Sequence, residues 1–351
     1  MRNYIILNGR KSNTLNGLLI SQLPPIVKPE IRTNTEEIDG RDGDIVTKLG
    51  YSAYDKDLEI GLYGNFDVND IVSYFDSEGT VIFSNEPDKY YKYQILDEVD
   101  YERLLRFKTA TVTFHCQPFK YSAVDKDYVY SNHLLSVLPY TSSQNGISLS
   151  VVDGEISISG TATAATEFLV PIDPFTIYEG NYGLKATASG TGSVSLRVIS
   201  DSPSDCIAGG SLATASGTTD INGATGAGTY NYLWIYVQNG AVVNQTIVAD
   251  AYALNAFIYN AGNTYSKPRM TVYGSGVINL SLNGSQIFVM DIESDYITID
   301  VETMQAYKGD TLKNRFVSGD YEDLRFKPGE NVISWDGNVS TIKFNDFSRW
   351  I

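Results

Sequence analysis

Two histidines, His115 and His133, and two cysteines, Cys116 and Cys206, are all the imidazole and thiol that the chain has for chemistry. That is too little for a zinc centre, a Ser-His dyad or a disulfide framework, each of which needs several such groups brought together. A structural or surface role is the reading for each histidine. Carboxylates are more plentiful and fall in pairs: Glu36 with Glu37, Asp55 with Asp57, Asp125 with Asp127. A glycosidase needs two carboxyl groups facing each other across roughly 5 to 10 Å, and neighbours in a turn do not supply that geometry. These pairs read as solvated loops. In "DGRDGD", from Asp39 to Asp44, Gly40 and Gly43 fall out of register with the alternating oxygens of a calcium loop. Asp-Gly pairs tolerate positive φ, so a hairpin tip is expected there. Gly-rich pieces such as "GSGVINLSLNG" lack the Gly-Lys-Ser/Thr ending of a phosphate loop. No catalytic residue, metal or cofactor is assigned, and the chain is not read as an enzyme.

One stretch points to binding. In "YNYLWIYVQ" an extended strand would send Tyr230, Tyr232, Trp234 and Tyr236 to one face and Leu233, Ile235 and Val237 to the other. The aliphatic face suits a core, which frees the aromatic face to stack on the C–H faces of sugars. Large rings also dominate β interiors, so at least partial burial is expected. "YYKYQIL", beside Lys89 and Lys92, could bind single strands only in a basic setting. With a net charge of -16 and a pI near 4.5, ordinary packing is the better account.

The elements that must position these residues are mostly strands. A chain of 351 residues with 30 Gly and 25 Tyr predicts a mainly β protein of two or three domains. The acidic balance opposes wrapping nucleic acid or lying on an anionic membrane. The N-terminus lacks a signal peptide and no apolar span of membrane length occurs, so a chain made in the cytosol and soluble is expected. "NFDVNDIVSYFDSEG" predicts one helix, capped by Asp67 or Asn65, with Val68, Ile71, Val72 and Phe75 at helical spacing and Gly79 closing it. Between Tyr140 and Asp250 only Lys185 and Arg197 are basic, and "ISLSVV", "EISISG", "SVSLRVIS" and "YLWIYVQ" recur as short strands. That spacing predicts a sandwich or jelly roll, with "GGSLATASGTTDINGATGAGT" a long exposed loop inside it. From Asn255 the charged, hairpin-rich composition returns. The middle therefore reads as a module inserted at an exposed loop tip between Ser122 and Ser131. The divisions are an N-terminal domain over 1–125, an inserted module over 131–254, a C-terminal domain over 255–351, and 122–130 as the junction.

The flanking parts resemble the distal tail proteins (Dit) of long-tailed, non-contractile phages. The stretches that carry the resemblance are "IDGRDGDIV", "VIFSNEPDKYYKYQI", "VTFHCQPFKY", "YNAGNTYSKPRMTVYGSG", "ITIDVETMQAYKGD" and "FKPGENVISWDGNVSTIKF". The resemblance implies a virion protein of the tail tip: a homo-hexameric ring of N-terminal domains of sandwich or barrel-like form, with a galectin-like C-terminal β-sandwich pointing outward. It implies as partners the tail tube protein, the tail-tip or tail-associated protein and receptor-binding proteins, with DNA passing through the channel. It also gives the hairpin at Gly40, Arg41, Asp42, Gly43 and Asp44 a use in the contact between ring neighbours. "NGISLSVVDGEISISGTATA" is similar to the opening of jelly-roll modules, many of them carbohydrate-binding, which implies host cell-wall polysaccharide as a ligand of the insert. The alternative reading is a free-standing β-sandwich lectin or adhesin.

Overall fold

The computed structural model describes residues 2–40, 42–75, 78–124, 126–202, 204–207, 212–225, 227–345 and 347–351. Strands dominate, as expected of a mainly β protein. The chain divides into two compact units, Met1–Lys126 with Ala261–Ser266 and Phe347–Ile351, and Asp127–Asn260 with Lys267–Asp346.

The first unit is built on an eight-stranded sheet whose two longest strands, Tyr54–Leu62 and Thr109–Ser122, pair with each other. Alternate residues go inward, as period-2 patterning requires: Leu58 and Ile60 from one strand, Val112, Phe114 and Cys116 from the other. The expected helix forms at Val68–Phe75, where the Asp67 carboxylate accepts the Asn69 N–H at 2.9 Å, and it buries Ile71, Tyr74 and Phe75. Gly79 does not close it. That residue belongs to the next strand, Glu78–Phe83, at φ +139, where a Cβ would lie 2.1 Å from Asn8 Oδ1. A second helix, Tyr101–Phe107, corrects the expectation of one. It is capped by Asp100, which accepts the Arg103 N–H at 2.7 Å, and buries only Leu104, so little apolar periodicity marked it. Segments 261–266 and 347–351 are tied into this unit by Arg349. Its Nε donates to the Tyr265 carbonyl at 2.6 Å, and its guanidinium lies 4.1 Å from the Phe119 ring centroid and 4.4 Å from that of Tyr265.

In the second unit a nine-stranded sheet is organised by the strand Gly329–Asn345. It pairs with Asp127–Ser131, Asn255–Asn260 and Arg269–Leu282. The stretch expected as an exposed loop tip is thus partly a strand: Asp127–Ser131 buries Tyr128 and Tyr130, rings too large to leave in water when a core is adjacent. The other two sheets draw all their strands from between Tyr140 and Ala253. Eight of those strands are β1 (Glu155–Thr161), β2 (Thr166–Ile177), β3 (Gly180–Thr191), β4 (Val194–Ile199), β5 (Leu212–Thr214), β6 (Gly217–Thr225), β7 (Gly228–Val237) and β8 (Val242–Ala253). One sheet runs β1-β8-β3-β6, extended at its β1 edge by Ile147–Val152 and Tyr140–Gln144, and the other runs β2-β7-β4-β5. This interleaved order is that of a jelly roll. The Thr-rich stretch expected as an exposed loop forms β5 and β6 instead, since β-branched Thr fits a pleated strand and the β3 and β4 edges offer partners that offset the weak strand preference of Ala and Gly.

Inward residues of both sheets, among them Ile158, Phe168, Leu184, Leu196, Ile235 and Ile247, form one core that is continuous with that of the nine-stranded sheet. Tyr130, 1% exposed, stands where they meet. Its hydroxyl is 3.0 Å from the Glu179 carbonyl and 3.2 Å from that of Phe257, and with one proton it donates to one at a time. Tyr178, Tyr182, Trp335 and Phe344 surround its ring with centroids at 5.9 to 6.4 Å.

Two predictions follow from this packing. Tyr130→Phe should cost about 1–2 kcal/mol, by leaving a buried carbonyl without its donor, and Tyr130→Ala about 3–5 kcal/mol, by opening a cavity. Denaturant titration of the full chain measures both. The second concerns alkali. Burial pushes the Cys116 thiol from 9.0 up to about 12, and burial raises the phenols of Tyr54, Tyr74, Tyr91, Tyr130 and Tyr182 above their ordinary 10.0. The folded chain then holds protons that the unfolded chain releases, so this stability is complete below pH 9.0 and is lost as pH rises toward 12. Melting temperature should fall steeply over that interval.

Candidate functional site

The hairpin of the first unit is a ribbon of Ile31–Glu37 paired with Asp44–Tyr51. Gly40 and Gly43 take φ +84 and +79 at its tip, as the Asp-Gly signal predicted. Gly40, Asp42, Gly43 and Asp44 are exposed there, while Arg41 lies outside the described residues. Both faces of the ribbon are open. Ile31–Glu37 is exposed at every position, and Val46 and Leu49 on the partner strand are each 61% exposed. A two-stranded hairpin is marginal in water by itself, and apolar side chains on bare strands invite pairing. At its root Tyr51 packs edge-on against Phe119 at 5.8 Å and receives Lys48 Nζ at 2.8 Å from its hydroxyl. A cleft of about 760 Å³ opens at this root, lined among others by Arg32, Lys48, Tyr51, Phe119 and Tyr265.

The aromatic strand is β7, and its aliphatic residues Leu233, Ile235 and Val237 are fully buried in the sandwich. Tyr232, Trp234 and Tyr236 form a separate small cluster with Ile199 and Cys206. Tyr230 departs from this set. It joins the main core and stacks on Phe175 at 5.9 Å, where the β2 pairing is irregular between Pro171 and Phe175. Trp234 is 7% exposed: it stacks on Tyr236 at 5.5 Å, carries the Arg197 guanidinium 5.1 Å from its ring, and donates its indole N–H to Glu167 Oε2 at 3.2 Å. Tyr232 and Tyr236 are half-buried. The partial burial expected of this face is what the strand shows. A sugar would therefore meet the Tyr232 and Tyr236 rings before it met the indole.

The paired carboxylates serve local structure. Asp55 meets His115 Nδ1 at 2.8 Å and Asp57 accepts the Thr113 hydroxyl at 2.8 Å, both across neighbouring strands. Glu36 accepts from Asn34 at 3.3 Å, Asp127 from Asn345 at 3.1 Å, and Asp125 lies outside the described residues. His133 pairs with Asp250 at 2.6 Å on the surface of the second unit. Sequence reasoning missed a buried polar cluster, in which Lys120 Nζ donates to Glu86 Oε1 at 2.7 Å and the Tyr91 hydroxyl to Glu86 Oε2. Nearby, Lys56 Nζ donates to the Pro25 carbonyl at 2.9 Å. These groups are enclosed and hold strands in register, so they offer no opening to a substrate. Among the described residues no group of three or more His, Cys, Asp or Glu converges as a metal would need, and no helix is long and apolar enough to cross a membrane.

Residues 8–116 match the family described as the phage tail protein RIFT-related domain. No curated protein matches the sequence. Among solved structures the chain is similar to phage SPP1 Dit, a hub protein of the adsorption apparatus in phages infecting Gram-positive hosts. The identity is 11% over 100% of both chains, with a TM-score of 0.40. It is also similar to a chain of the phage P2 baseplate in its activated conformation with calcium, at 14% identity over 98% of this chain and 97% of that one, with a TM-score of 0.31. Both likenesses are too distant to carry residue roles across. The matched segment lies wholly within the Met1–Lys126 stretch that folds around the eight-stranded sheet, so the likeness to a phage tail domain belongs to that part of the chain.

Proposed function

We propose that the chain is the structural hub of the tail tip: a closed homo-hexamer joining the tail tube protein to the tail-tip or tail-associated protein and to receptor-binding proteins. Residues 1–125 form the ring, 255–351 the C-terminal β-sandwich, and 131–254 an inserted module that binds host cell-wall polysaccharide. The role is structural rather than catalytic. The observation that carries the reading is the hairpin Ile31–Tyr51, whose apolar residues are bare on both faces of a ribbon too thin to be stable unaided. A neighbouring subunit would cover them, and repetition of one such contact closes a ring. A free-standing lectin would have no use for a tail domain over residues 8–116.

The net charge of -16 per chain supports passage of DNA, because an acidic lumen repels phosphates. The module supports adhesion differently. One saccharide site is weak, but six copies on a ring raise the effective concentration at a coated wall.

Light scattering at several concentrations should give the mass of six chains. Val46→Glu with Leu49→Glu should leave a monomer that is folded by circular dichroism but forms no ring. A wild-type chain that stays monomeric at high concentration would count against the hub. The full chain should also sediment with host cell walls and not with duplex DNA at physiological salt, and retention on DNA would remove the channel reading.

A further inference from the structure

The outer face of the sheet β1-β8-β3-β6 is polar, with Lys185, Thr187, Thr218, Asp220 and Asn222 around one ring, Tyr252. Gly183 on β3 stands in register between Tyr252 on β8 and Asn222 on β6. A Cβ on this glycine would lie 2.3 Å from Tyr252 Cζ and 2.6 Å from its hydroxyl oxygen. The phenol therefore occupies the place of the missing side chain and lies along the sheet across β3. Its hydroxyl donates to Asp220 Oδ1 at 2.6 Å and is 3.0 Å from the side-chain amide of Asn222. One hydroxyl has one proton, so the second contact is satisfied when Asn222 turns its NH₂ toward the phenol oxygen.

The ring is thus held at both ends, by its own backbone on β8 and by its oxygen on β6. Burial, and then the Asp220 carboxylate, raise the phenol above its ordinary range, so it stays a neutral donor. Among the described residues no other ring or cation stacks on Tyr252, and it is only half-buried. Trp234, by contrast, is covered by Arg197. A flat neutral ring, immobilised before any ligand arrives, with a carboxylate and an amide at its rim, suits the C–H face and the hydroxyls of a pyranose. The carboxylate disfavours anionic sugars by like-charge repulsion.

We propose that Tyr252, with Asp220 and Asn222, is a stacking subsite for neutral hexopyranose units. This rests on the reading of the jelly roll as saccharide-binding. The test is saturation-transfer NMR of the full chain titrated with the methyl pyranosides of glucose, galactose, N-acetylglucosamine and rhamnose. Tyr252→Ala should weaken the binding pyranoside about three- to ten-fold, the range of one aromatic contact. Asp220→Ala, which frees the ring while keeping it, should weaken it less, and Tyr259→Ala, which removes an exposed ring outside the jelly roll, should leave it unchanged. Circular dichroism checks that each variant is folded. If Tyr252→Ala binds as wild type while Tyr232→Ala or Tyr236→Ala loses the sugar, the subsite falls and the saccharide reading stands. Should none of the four pyranosides bind wild type, both fall together.

Discussion

The second unit depends on what surrounds the Tyr130 ring. Its hydroxyl faces one carbonyl from the jelly roll and one from the strand Asn255–Asn260, and its ring meets Tyr178 and Tyr182 on one side and Trp335 and Phe344 on the other. The strand that carries it and the strand Asn255–Asn260 both pair with Gly329–Asn345. The two ends of the jelly-roll segment therefore leave from and return to a single strand of the nine-stranded sheet. A segment whose two ends are both anchored on one strand can occupy many residues without disturbing the order of the strands beneath it. The shared core adds a further condition, since the anchoring strands are buried and cannot act as a loose tether.

The first unit obeys a different constraint. Its polar cluster of Glu86, Lys120 and Tyr91 is enclosed, and a buried ion pair is tolerated only with its hydrogen bonds complete. Such a cluster contributes more to fixing strand register than to net stability. That rigidity matters to the hairpin, because a ribbon exposed on both faces keeps a defined direction only if its root is fixed. Tyr51 against Phe119 fixes it, and Arg349 over Phe119 fixes Phe119 in turn.

Much of this was legible in the sequence because period-2 alternation survives wherever one face of a strand is buried. The strands at Ile147–Val152, Glu155–Thr161, Val194–Ile199 and Gly228–Val237 all announced themselves in that way. Strands β5 and β6 did not, because Thr, Ala and Gly in a low-complexity stretch carry no alternation and fold only when β3 and β4 present edges to them. The helix Tyr101–Phe107 was hidden for a related reason, since a helix that buries only Leu104 has almost no apolar period to read. Trp234 and its neighbours were found by their strand, but the Arg197 guanidinium over the indole is a contact from β4 that no local pattern encodes.

Tyr252 shows where the limit lies. In sequence it is a lone tyrosine near the end of a mixed strand, and Gly183 is one of 30 glycines. Only when β8 and β3 pair does the glycine leave a gap of the ring's size, and only when β6 adds its edge do Asp220 and Asn222 arrive at the hydroxyl. Alternation tells which residues leave the core, whereas a platform requires that three strands agree on one register. A one-residue slip of β6 would turn Asp220 and Asn222 to the other face, so the inward packing of Leu184 and Ala251 on the neighbouring strands also fixes the polar arrangement outside. The outer face of this sheet is therefore ordered by its inner one.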